Sequence, residues 1–477
     1  MAAAGLFAVV LKRLFLLCAF GSFAARAQDA PGTGPVSTNS SPAVVQQNWN
    51  FHVQNTETVQ GYPGFSAQYS GPNSLPTGGE TRQTVSLDLM AGVRLWHGAE
   101  AHVDALMWQG FGLNNTLGVE GFPNGEAYRL GTDVPNGDIA RLFIRQTIGL
   151  GGGQEDVPDD QLDLAGQRDI SRLTFTLGRF SAADIFDQNA YANDPRTQFM
   201  NWAFVNNEAW DYPADAIGYT TGVAVELNQP QWTLRYGFFQ VPRVQNTLTA
   251  EDAYFKWPYD PSVDGPSQDG PFFNAWAMVT ELERRYSIKN HPGTIRFLAY
   301  LNRANMAEYS AATANILANP GDVEGDILAA RAYRFKYGFG LNWEQEIVKN
   351  VGVFSRLGWN DDHEEGWMFS DVGYAASLGL SIKGEAWHRP DDTFGVAGVA
   401  NGISKEAQEF FAAGGTGILA GDGHLNYGWE KILETYYDFK IWESVHGAVD
   451  YQFVDNPAFN RARGPVSIFG GRLHWEF

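Results

Sequence analysis

Hydrophobic and polar residues alternate with a period of two along much of the chain. Over residues 85–94 apolar side chains alternate with polar or small ones, and after a turn at 97–98 the alternation resumes over 101–108. Successive side chains of a strand point to opposite faces, so the pattern predicts a hairpin with one apolar and one mostly polar face. Further hairpins are predicted over residues 218–241, 285–302 and 333–360.

Sixteen such strands are predicted, beginning near residues 47, 84, 99, 139, 171, 217, 232, 274, 294, 333, 351, 370, 393, 427, 445 and 466. Short connections (97–98, 228–231, 289–293, 348–350, 441–444) alternate with long ones (109–138, 181–216, 242–273, 304–332, 403–426). The exception is 149–170, which is long where a short turn is expected. This alternation is typical of bacterial outer-membrane barrels. The sequence therefore predicts an all-β fold, a 16-stranded antiparallel transmembrane β-barrel with short periplasmic turns and long external loops.

The lipid environment explains why the sheet should close and which side chains should face inward. Every backbone polar group in lipid needs an internal partner, and only closure removes the sheet's edges. A charge facing lipid at mid-membrane costs about 2–4 kcal/mol, whereas the lumen of so wide a barrel holds water. The strand residues assigned to the lumen are Asp88, Arg94, His102, Asp104, Arg141, Arg145, Arg179, Arg235 and Arg472. The aromatic residues expected at the membrane interfaces are Trp96, Trp108, Trp359 and Trp367.

The N-terminus has the three-part pattern of a secretory signal peptide. Two basic residues precede an apolar stretch that is shorter than the roughly 20 residues a spanning helix needs, and a small-x-small motif ends at Ala27. We expect cleavage between Ala27 and Gln28, which would remove Cys18, the only cysteine, and with it any disulfide or zinc-thiolate site. The predicted division is a signal peptide over 1–27, a flexible segment over 28–46 and the barrel over 47–477.

The last predicted strand ends in an aromatic residue at the final position of the chain. Leu473, Trp475 and Phe477 fall on one face, and Arg472 and His474 fall on the other. A terminal aromatic residue on an alternating strand is what the outer-membrane assembly machinery is understood to recognise. We therefore expect Trp475 and Phe477 to act as an assembly signal.

Charge and local motifs narrow the candidate chemistry. The formal net charge is −21, which argues against nucleic-acid binding because that requires positive charge. The acidic run at 361–365 could bind a divalent cation, but such a run is more typical of a solvated loop. The glycine run at 149–153 resembles a dinucleotide loop only superficially and favours a turn, while 404–413 predicts a short loop helix. We expect neither a metal nor a cofactor.

Four groups of motifs together suggest a family. They are Gly178-Arg179-Phe180 with Asp184-Ile185-Phe186-Asp187 and Gln198-Phe199-Met200-Asn201-Trp202; Arg296-Phe297-Leu298-Ala299-Tyr300-Leu301-Asn302-Arg303; Trp387-His388-Arg389-Pro390-Asp391-Asp392; and Glu434-Thr435-Tyr436-Tyr437 with the closing Arg472-Leu473-His474-Trp475-Glu476-Phe477. From roughly residue 47 onward the chain resembles the OprB-type family of carbohydrate-selective porins of the Gram-negative outer membrane. The resemblance implies a sixteen-stranded barrel that passes monosaccharides or short oligosaccharides and has no catalytic residues.

A selective barrel needs a constriction, and the loop over 181–216 is the candidate. It is rich in Asp, Asn and aromatic residues, which suit the hydroxyl rim and the apolar ring faces of a sugar, and charged rings tune pores. The candidate substrate-binding or pore-lining residues are Arg145, Arg179, Asp184, Asp187, Asn189, Asp194, Arg196, Asn201, Trp202, Arg389 and Asp391. The alternative, equally favoured, is that these residues only hold the loop to the wall.

The expected partners are small carbohydrates, outer-membrane lipids and lipopolysaccharide, and the assembly machinery; a monomer and a homotrimer both remain open. Two rival functions were weighed. An outer-membrane enzyme such as a lipid hydrolase would need a Ser-His pair with an orienting side chain, and no motif pairs one of the 9 histidines with a serine. A soluble, secreted sugar-binding β-protein would extract without detergent.

Overall fold

The structure is a computed structural model that describes residues 45–127, 131–242, 245–246 and 274–477. The predicted signal peptide, its cleavage site at Ala27 and Gln28, and most of the 28–46 segment and of the 242–273 connection lie outside these residues. Within the described ranges, no helix is long and apolar enough to cross a membrane.

The barrel strands are β1 (Trp49–Pro63), β2 (Gly79–Trp96), β3 (Ala99–Gly110), β4 (Thr132–Gly149), β7 (Arg172–Phe180), β8 (Thr220–Asn228), β9 (Trp232–Gln240), β10 (Trp276–Ile288), β11 (His291–Ala307), β12 (Arg331–Val348), β13 (Val351–Asn360), β14 (Tyr374–Lys383), β15 (Thr393–Gly402), β16 (Glu430–Trp442), β17 (Val445–Asp455) and β18 (Val466–Glu476). Two short strands, β5 (Gln154–Val157) and β6 (Gly166–Asp169), form a separate sheet. The helices are α1 (Trp202–Val205), α2 (Tyr309–Ala318), α3 (Val323–Ala330) and α4 (Lys405–Ala413), with 3₁₀ turns at Leu113–Asn115, Ala182–Asp184, Gly384–Trp387 and Pro457–Phe459.

The sixteen barrel strands pair antiparallel in chain order, and the sheet closes on itself. β4 pairs with β7, and β1 pairs with β18 from Gln54 opposite Glu476 to Gly61 opposite Phe469. Six strands (β3, β9, β13, β15, β17 and β18) begin at the predicted residue; the largest offset is in β4, which begins at Thr132 and not near 139. The predicted closed barrel of sixteen strands is confirmed.

The two faces of the wall differ as the alternation predicts. In β2, Leu89 is 42% exposed while its neighbour Asp88 is fully buried. The nine residues assigned to the lumen are all buried or partly buried, whereas Leu142 and Leu177 lie among the exposed apolar side chains of the outer surface. An apolar outer face and a polar inner face are what a barrel in lipid requires.

The predicted position at a membrane interface is wrong for two of the four tryptophans. Trp96 and Trp359 lie on the outer surface, 59% and 41% exposed, as expected. Trp108 is 4% exposed because it shares the inward face of β3 with Asp104, so register parity excludes it from the lipid side. Trp367 belongs to the loop after β13 and is fully buried, with the Arg331 guanidinium 5.2 Å from its ring centroid.

The long connection over residues 149–170, which lies at the end of the barrel where the short turns are, forms a hairpin. The start of β1, the end of β18 and the short turns lie at this end of the barrel, which identifies it as periplasmic. β5 and β6 pair from Gln154 opposite Asp169 to Val157 opposite Gly166. The glycine run is a turn, as predicted: Gly151, Gly152 and Gly153 have φ of +87°, +81° and +92°, a left-handed conformation that glycine adopts without steric cost. We call residues 150–171 the periplasmic hairpin.

Candidate functional site

The loop between β7 and β8 crosses the lumen. Residues 181–219, here the crossing loop, leave the wall after Phe180 and return at Thr220. Most of the side chains between them are buried, and they pack against strands on the far side of the barrel. The loop predicted to narrow the barrel is therefore inside it.

Asp187 anchors the crossing loop to the far wall. Its carboxylate accepts hydrogen bonds from Nε of Arg356 on β13 at 2.9 Å and from Nδ2 of Asn342 on β12 at 2.7 Å. The side chains of Arg356 and Asp187 are only 2% and 4% exposed. Asn189 is tied to the same place, since its Nδ2 donates to Oδ1 of Asn342 at 2.8 Å. A buried, hydrogen-bonded ion pair of this kind is costly to break.

A second anchor lies nearer to the barrel's closing strands. Glu434 on β16 accepts from the backbone N–H groups of Met200 at 2.6 Å and Asn201 at 3.1 Å. Arg472 on β18 donates to the carbonyl oxygens of Pro195 and Gln198, both at 2.8 Å. The crossing loop is thus held on β12, β13, β16 and β18, across the lumen from the strands that carry it.

Buried carboxylates also join the external loops to one another. Glu120, in the loop after β3, accepts from the backbone N–H of Asp371 at 3.0 Å, and Asp371 accepts from that of Leu419 at 3.1 Å. Glu430 accepts from the backbone N–H of Glu120 at 3.0 Å. Glu208 of the crossing loop lies beside this cluster, and both of its carboxylate oxygens are buried without a hydrogen-bond partner among the described residues.

Burial makes these loop carboxyl groups weaker acids than they are in water. It raises the pKa of Glu208 well above the ordinary carboxyl range, and the nearby Glu430 carboxylate raises it further. The pKa of Glu120 is also raised, first by burial and then by the Asp371 carboxylate. The closed arrangement of the loops therefore favours protonated carboxyls.

A pocket of about 310 Å³ remains inside the barrel between the loops. This volume is near the lower end of the range typical of small-molecule sites, about 300–1,000 Å³. Its polar lining includes Glu126, Arg141, Gln161, Asp184, Gln188, Asn193, Asp194, Arg196 and Asn206, and its aromatic lining consists of Phe122, Trp202, Tyr212, Tyr219 and Phe369. The crossing loop supplies most of it, and the loop after β3, strand β4, the loops after β13 and α4, and the periplasmic hairpin also contribute.

Aromatic rings form one side of the pocket. Trp202 stacks on Phe122, with ring centroids 5.0 Å apart, and on Tyr212, at 5.8 Å. Tyr212 stacks in turn on Phe369 at 4.6 Å. Burial raises the pKa of Tyr212 and of Tyr219, so both phenols stay neutral hydroxyl groups. The result is a rigid apolar surface with polar tips.

Paired charges form the other side. Arg141 on β4 holds both carboxylate oxygens of Asp184, at 2.7 and 2.9 Å, in bidentate geometry. Arg196 of the crossing loop approaches Glu126 at 3.0 Å and Asp88 at 3.5 Å. Arg141, Asp184, Arg196 and Glu126 line the pocket, so they present both donors and acceptors to whatever occupies it.

The structure brings four of the eleven candidate residues together at the pocket: Asp184, Asp194, Arg196 and Trp202. Asp187, Asn189 and Asn201 belong to the anchors; Asn201, fully buried, donates to the Gly121 carbonyl oxygen at 2.7 Å. The side chains of these three residues contact the wall or a neighbouring loop and do not line the pocket.

The two wall arginines do not face the pocket's carboxylates. Arg179 is 3% exposed and pairs with Asp215 at 2.6 Å. Arg145 donates to the Leu162 carbonyl oxygen at 2.8 Å and to Asp163 at 3.0 Å, both in the periplasmic hairpin.

The remaining candidates, Arg389 and Asp391, lie in the turn between β14 and β15 at the periplasmic end. There Asp391 is 3.2 Å from Nζ of Lys440, and Arg389 pairs with Asp392 and donates to the Lys440 carbonyl oxygen at 2.9 Å. Neither lines the pocket.

Sequence reasoning missed the contribution of the loop after β3, which supplies Phe122 and Glu126. Over residues 111–127 only Glu120 and Glu126 are charged, which is few for a solvated loop. That low charge density was the available signal. Arg141 was correctly assigned to the lumen, but its pairing with Asp184 depends on the loop's path.

Two carboxylates of the acidic run at 361–365, those of Asp362 and Glu365, are buried, contrary to the expectation of a solvated run. Asp362 is fully buried and its carbonyl oxygen accepts from Oγ of Ser404 at 2.8 Å, while Glu365 pairs with Arg331 at 2.7 Å. These contacts tie neighbouring loops together, and Ser404 caps helix α4, which is close to the predicted 404–413. In the part of the chain that the structure describes, no group of three or more His, Cys, Asp or Glu side chains is arranged to hold a metal.

Comparison with known proteins points to one family. Residues 72–477 match the family described as carbohydrate-selective porin, OprB family. The high-pH structure of Pseudomonas putida OprB is similar with a TM-score of 0.66 and 16% identity over 90% of this chain and 94% of that one. Pseudomonas aeruginosa OccK2 (OpdF) is more distant, with a TM-score of 0.42 and 9% identity over 90% and 97%. A comparison with curated protein sequences found no match.

Proposed function

Because this chain belongs to the OprB family of carbohydrate-selective porins, outer-membrane barrels for small carbohydrates, we propose that the pocket beside Trp202 is its selectivity filter. The observation that carries the proposal is the pocket's two-sided lining. Stacked aromatic rings face a set of paired charges across about 310 Å³. A sugar has apolar ring faces and a rim of hydroxyl groups, and this lining complements both.

Each side of the filter has its own role. The aromatic row offers the sugar ring an apolar surface, at little entropic cost because its members are already packed against one another. Arg141 and Arg196 donate to hydroxyl oxygens, and Glu126, Asp184 and Asp194 accept from hydroxyl hydrogens. A passing sugar replaces its hydration water with contacts to these groups, and it binds them weakly enough to leave again. Salt ions follow the same path.

Selective loss of sugar binding tests the filter. In planar bilayers, sugar entering the pocket should interrupt the ionic current. Trp202→Ala removes ring contacts worth about 0.5–1.5 kcal/mol, so the concentration of sugar needed for half-maximal interruption should rise several-fold. Trp96→Ala, which removes an outward-facing ring, is the matched control. Equal sugar sensitivity in wild type and Trp202→Ala would contradict the proposal.

We also propose the finer features of the protein's biology. The chain is made with a cleaved signal peptide over 1–27, a flexible segment over 28–46 and a barrel over 47–477. Trp475 and Phe477 engage the assembly machinery, and the barrel sits among outer-membrane lipids and lipopolysaccharide. N-terminal sequencing of the protein from outer membranes tests the cleavage, which should expose Gln28. Chemical cross-linking in those membranes separates a monomer from a homotrimer.

A channel without catalysis is the simplest account of the pocket. A hydrolase on a barrel would leave sugar or lipid products after incubation with the reconstituted protein, whereas a filter leaves its substrate unchanged. Analysis of the sugars recovered after transport separates the two functions.

A further inference from the structure

The periplasmic hairpin enters the barrel from the end opposite the external loops. Three successive left-handed glycines turn the chain after β4, and the hairpin's base is fixed by the Ile170 N–H, which donates to the Gly153 carbonyl oxygen at 2.9 Å. Its tip, residues 158–165, does not extend into open periplasmic space. Leu164 and Ala165 are 2% and 7% exposed.

Polar side chains on the inner face of the wall hold the tip. Nδ2 of Asn50 on β1 donates to Asp159 Oδ1 and to the Asp160 carbonyl oxygen, both at 2.9 Å. Four residues further along β1, on the same face, Oε1 of Gln54 accepts from Nε2 of Gln161 at 3.0 Å. On β4, Arg145 donates to the Leu162 carbonyl oxygen at 2.8 Å. Two wall strands thus each supply lumen-facing polar groups that hold this hairpin.

The tip reaches the pocket itself. Gln161 and Leu162 line it, together with Arg141, Asp184 and Trp202. Leu162 also packs against the buried cluster that includes Phe143 and Tyr212. The pocket is therefore bordered from both ends of the barrel, by loops on one side and by this hairpin on the other.

We infer that the periplasmic hairpin is a second selectivity element of the pore, in which Gln161 and Leu162 form the periplasmic wall of the sugar pocket. The inference rests on the proposed function of the pocket as the sugar's path. The Gln161 amide oxygen offers a sugar an acceptor, while its Nε2 stays on Gln54, and Leu162 offers the sugar an apolar contact. Their position makes the hairpin the last surface that a sugar touches before it enters the periplasm.

The chain offers a clean deletion, because Gly149 pairs directly with Arg172 across the base of the hairpin. Replacing residues 150–171 by a two-residue Asn-Gly turn joins β4 to β7 in the way that short turns join hairpin strands. In planar bilayers, the shortened protein should conduct more current than wild type. In liposome swelling, it should admit longer oligosaccharides and discriminate less among monosaccharides.

Point variants keep the inference testable if the deletion fails to fold. Gln161→Ala should weaken the interruption of current by glucose about fivefold, the effect of losing one hydrogen bond, while heat-modifiability on gels stays unchanged. Gln167→Ala is the matched control, since Gln167 bonds to Asp156 within the hairpin and is exposed away from the pocket.

The outcomes separate this inference from the function on which it rests. If wild type passes sugars while the deletion and Gln161→Ala behave as wild type does, the inference is overturned and the filter stands. If wild type passes no sugar in liposome swelling, both are overturned. The hairpin's role is supported if the deletion conducts more current than wild type and if glucose sensitivity is weakened in Gln161→Ala but kept in Gln167→Ala.

Discussion

The crossing loop and the periplasmic hairpin both narrow the same lumen, but they are held in different ways. The crossing loop depends on the Asp187–Arg356 pair, whose side chains are 4% and 2% exposed. The hairpin's ion pair between Arg145 and Asp163 has side chains that are 18% and 34% exposed. Buried pairs are expensive to break, and exposed ones contribute little. The barrel therefore has one fixed constriction and one that is easier to displace.

The largest effect is expected from breaking the fixed constriction. Asp187→Ala leaves the Arg356 guanidinium buried without its carboxylate, at a cost of about 3–5 kcal/mol. We expect the crossing loop to leave the far wall, which raises single-channel conductance and removes discrimination among sugars. Single-channel recording checks this.

The control is Asp391→Ala, which removes an exposed carboxylate paired with Lys440 outside the pocket. It should leave conductance at the wild-type value. An Asp187→Ala channel that conducts and selects like wild type would show that the crossing loop does not depend on this anchor. A normal gel shift on heating would establish that the barrel had folded.

An intermediate effect is expected from pH, through the buried carboxylates that join the external loops. The pKa of Glu208 and of Glu120 is raised when the external loops are closed. Above about pH 4–5, closed loops therefore keep protons on these carboxyl groups, whereas loops that have opened into water lose them. The closed arrangement should therefore weaken as pH rises through the raised values, not as it falls. Current noise from loop opening should increase in alkaline solution.

Glu208→Gln separates this carboxylate from other titrating groups. The amide has the same shape but no charge, so the increase in noise at high pH should be smaller than in wild type. Glu409→Gln, on the exposed face of α4, serves as the control. Noise that rises toward acid, or an identical pH profile in Glu208→Gln, would exclude the proposed coupling.

The smallest effect is expected at the displaceable constriction. Asp163→Ala removes the carboxylate that lies 3.0 Å from Arg145 and 3.6 Å from Arg168. Because both ion pairs are partly exposed, we expect the hairpin to lose only about 0–1 kcal/mol of stability. We expect brief openings to a larger conductance, more frequent than in wild type but without loss of sugar selectivity. High salt, which screens exposed pairs, should reduce the difference between wild type and variant.

Much of the barrel could be predicted because the membrane imposes a simple rule on each strand. Because lipid covers the outer face and water the inner face, apolar and polar residues alternate along each strand. This alternation places Leu89 on the outer face and Asp88 on the inner face. The same rule, applied consistently, would have placed Trp108 inside with Asp104. Placing Trp108 in a girdle gives residue type more weight than parity.

The inner site could be predicted only in part because it depends on contacts between distant residues. Asp187 and Arg356 are 169 positions apart, and no local pattern indicates that they meet. The sequence identified the loop and its composition, but not which of its polar groups would anchor it and which would face the pocket. The periplasmic hairpin was visible only as an exception to the expected short turns.

The account's central claim is that the loops and the hairpin reduce a wide barrel to a sugar-sized filter. Swelling of liposomes that contain the wild-type protein, measured with sugars of increasing length and with isomeric hexoses of equal mass, tests it most directly. The account predicts a sharp loss of permeation beyond short oligosaccharides and different rates for isomers. Rates that decline smoothly with mass and do not distinguish isomers would describe an unobstructed barrel and contradict it.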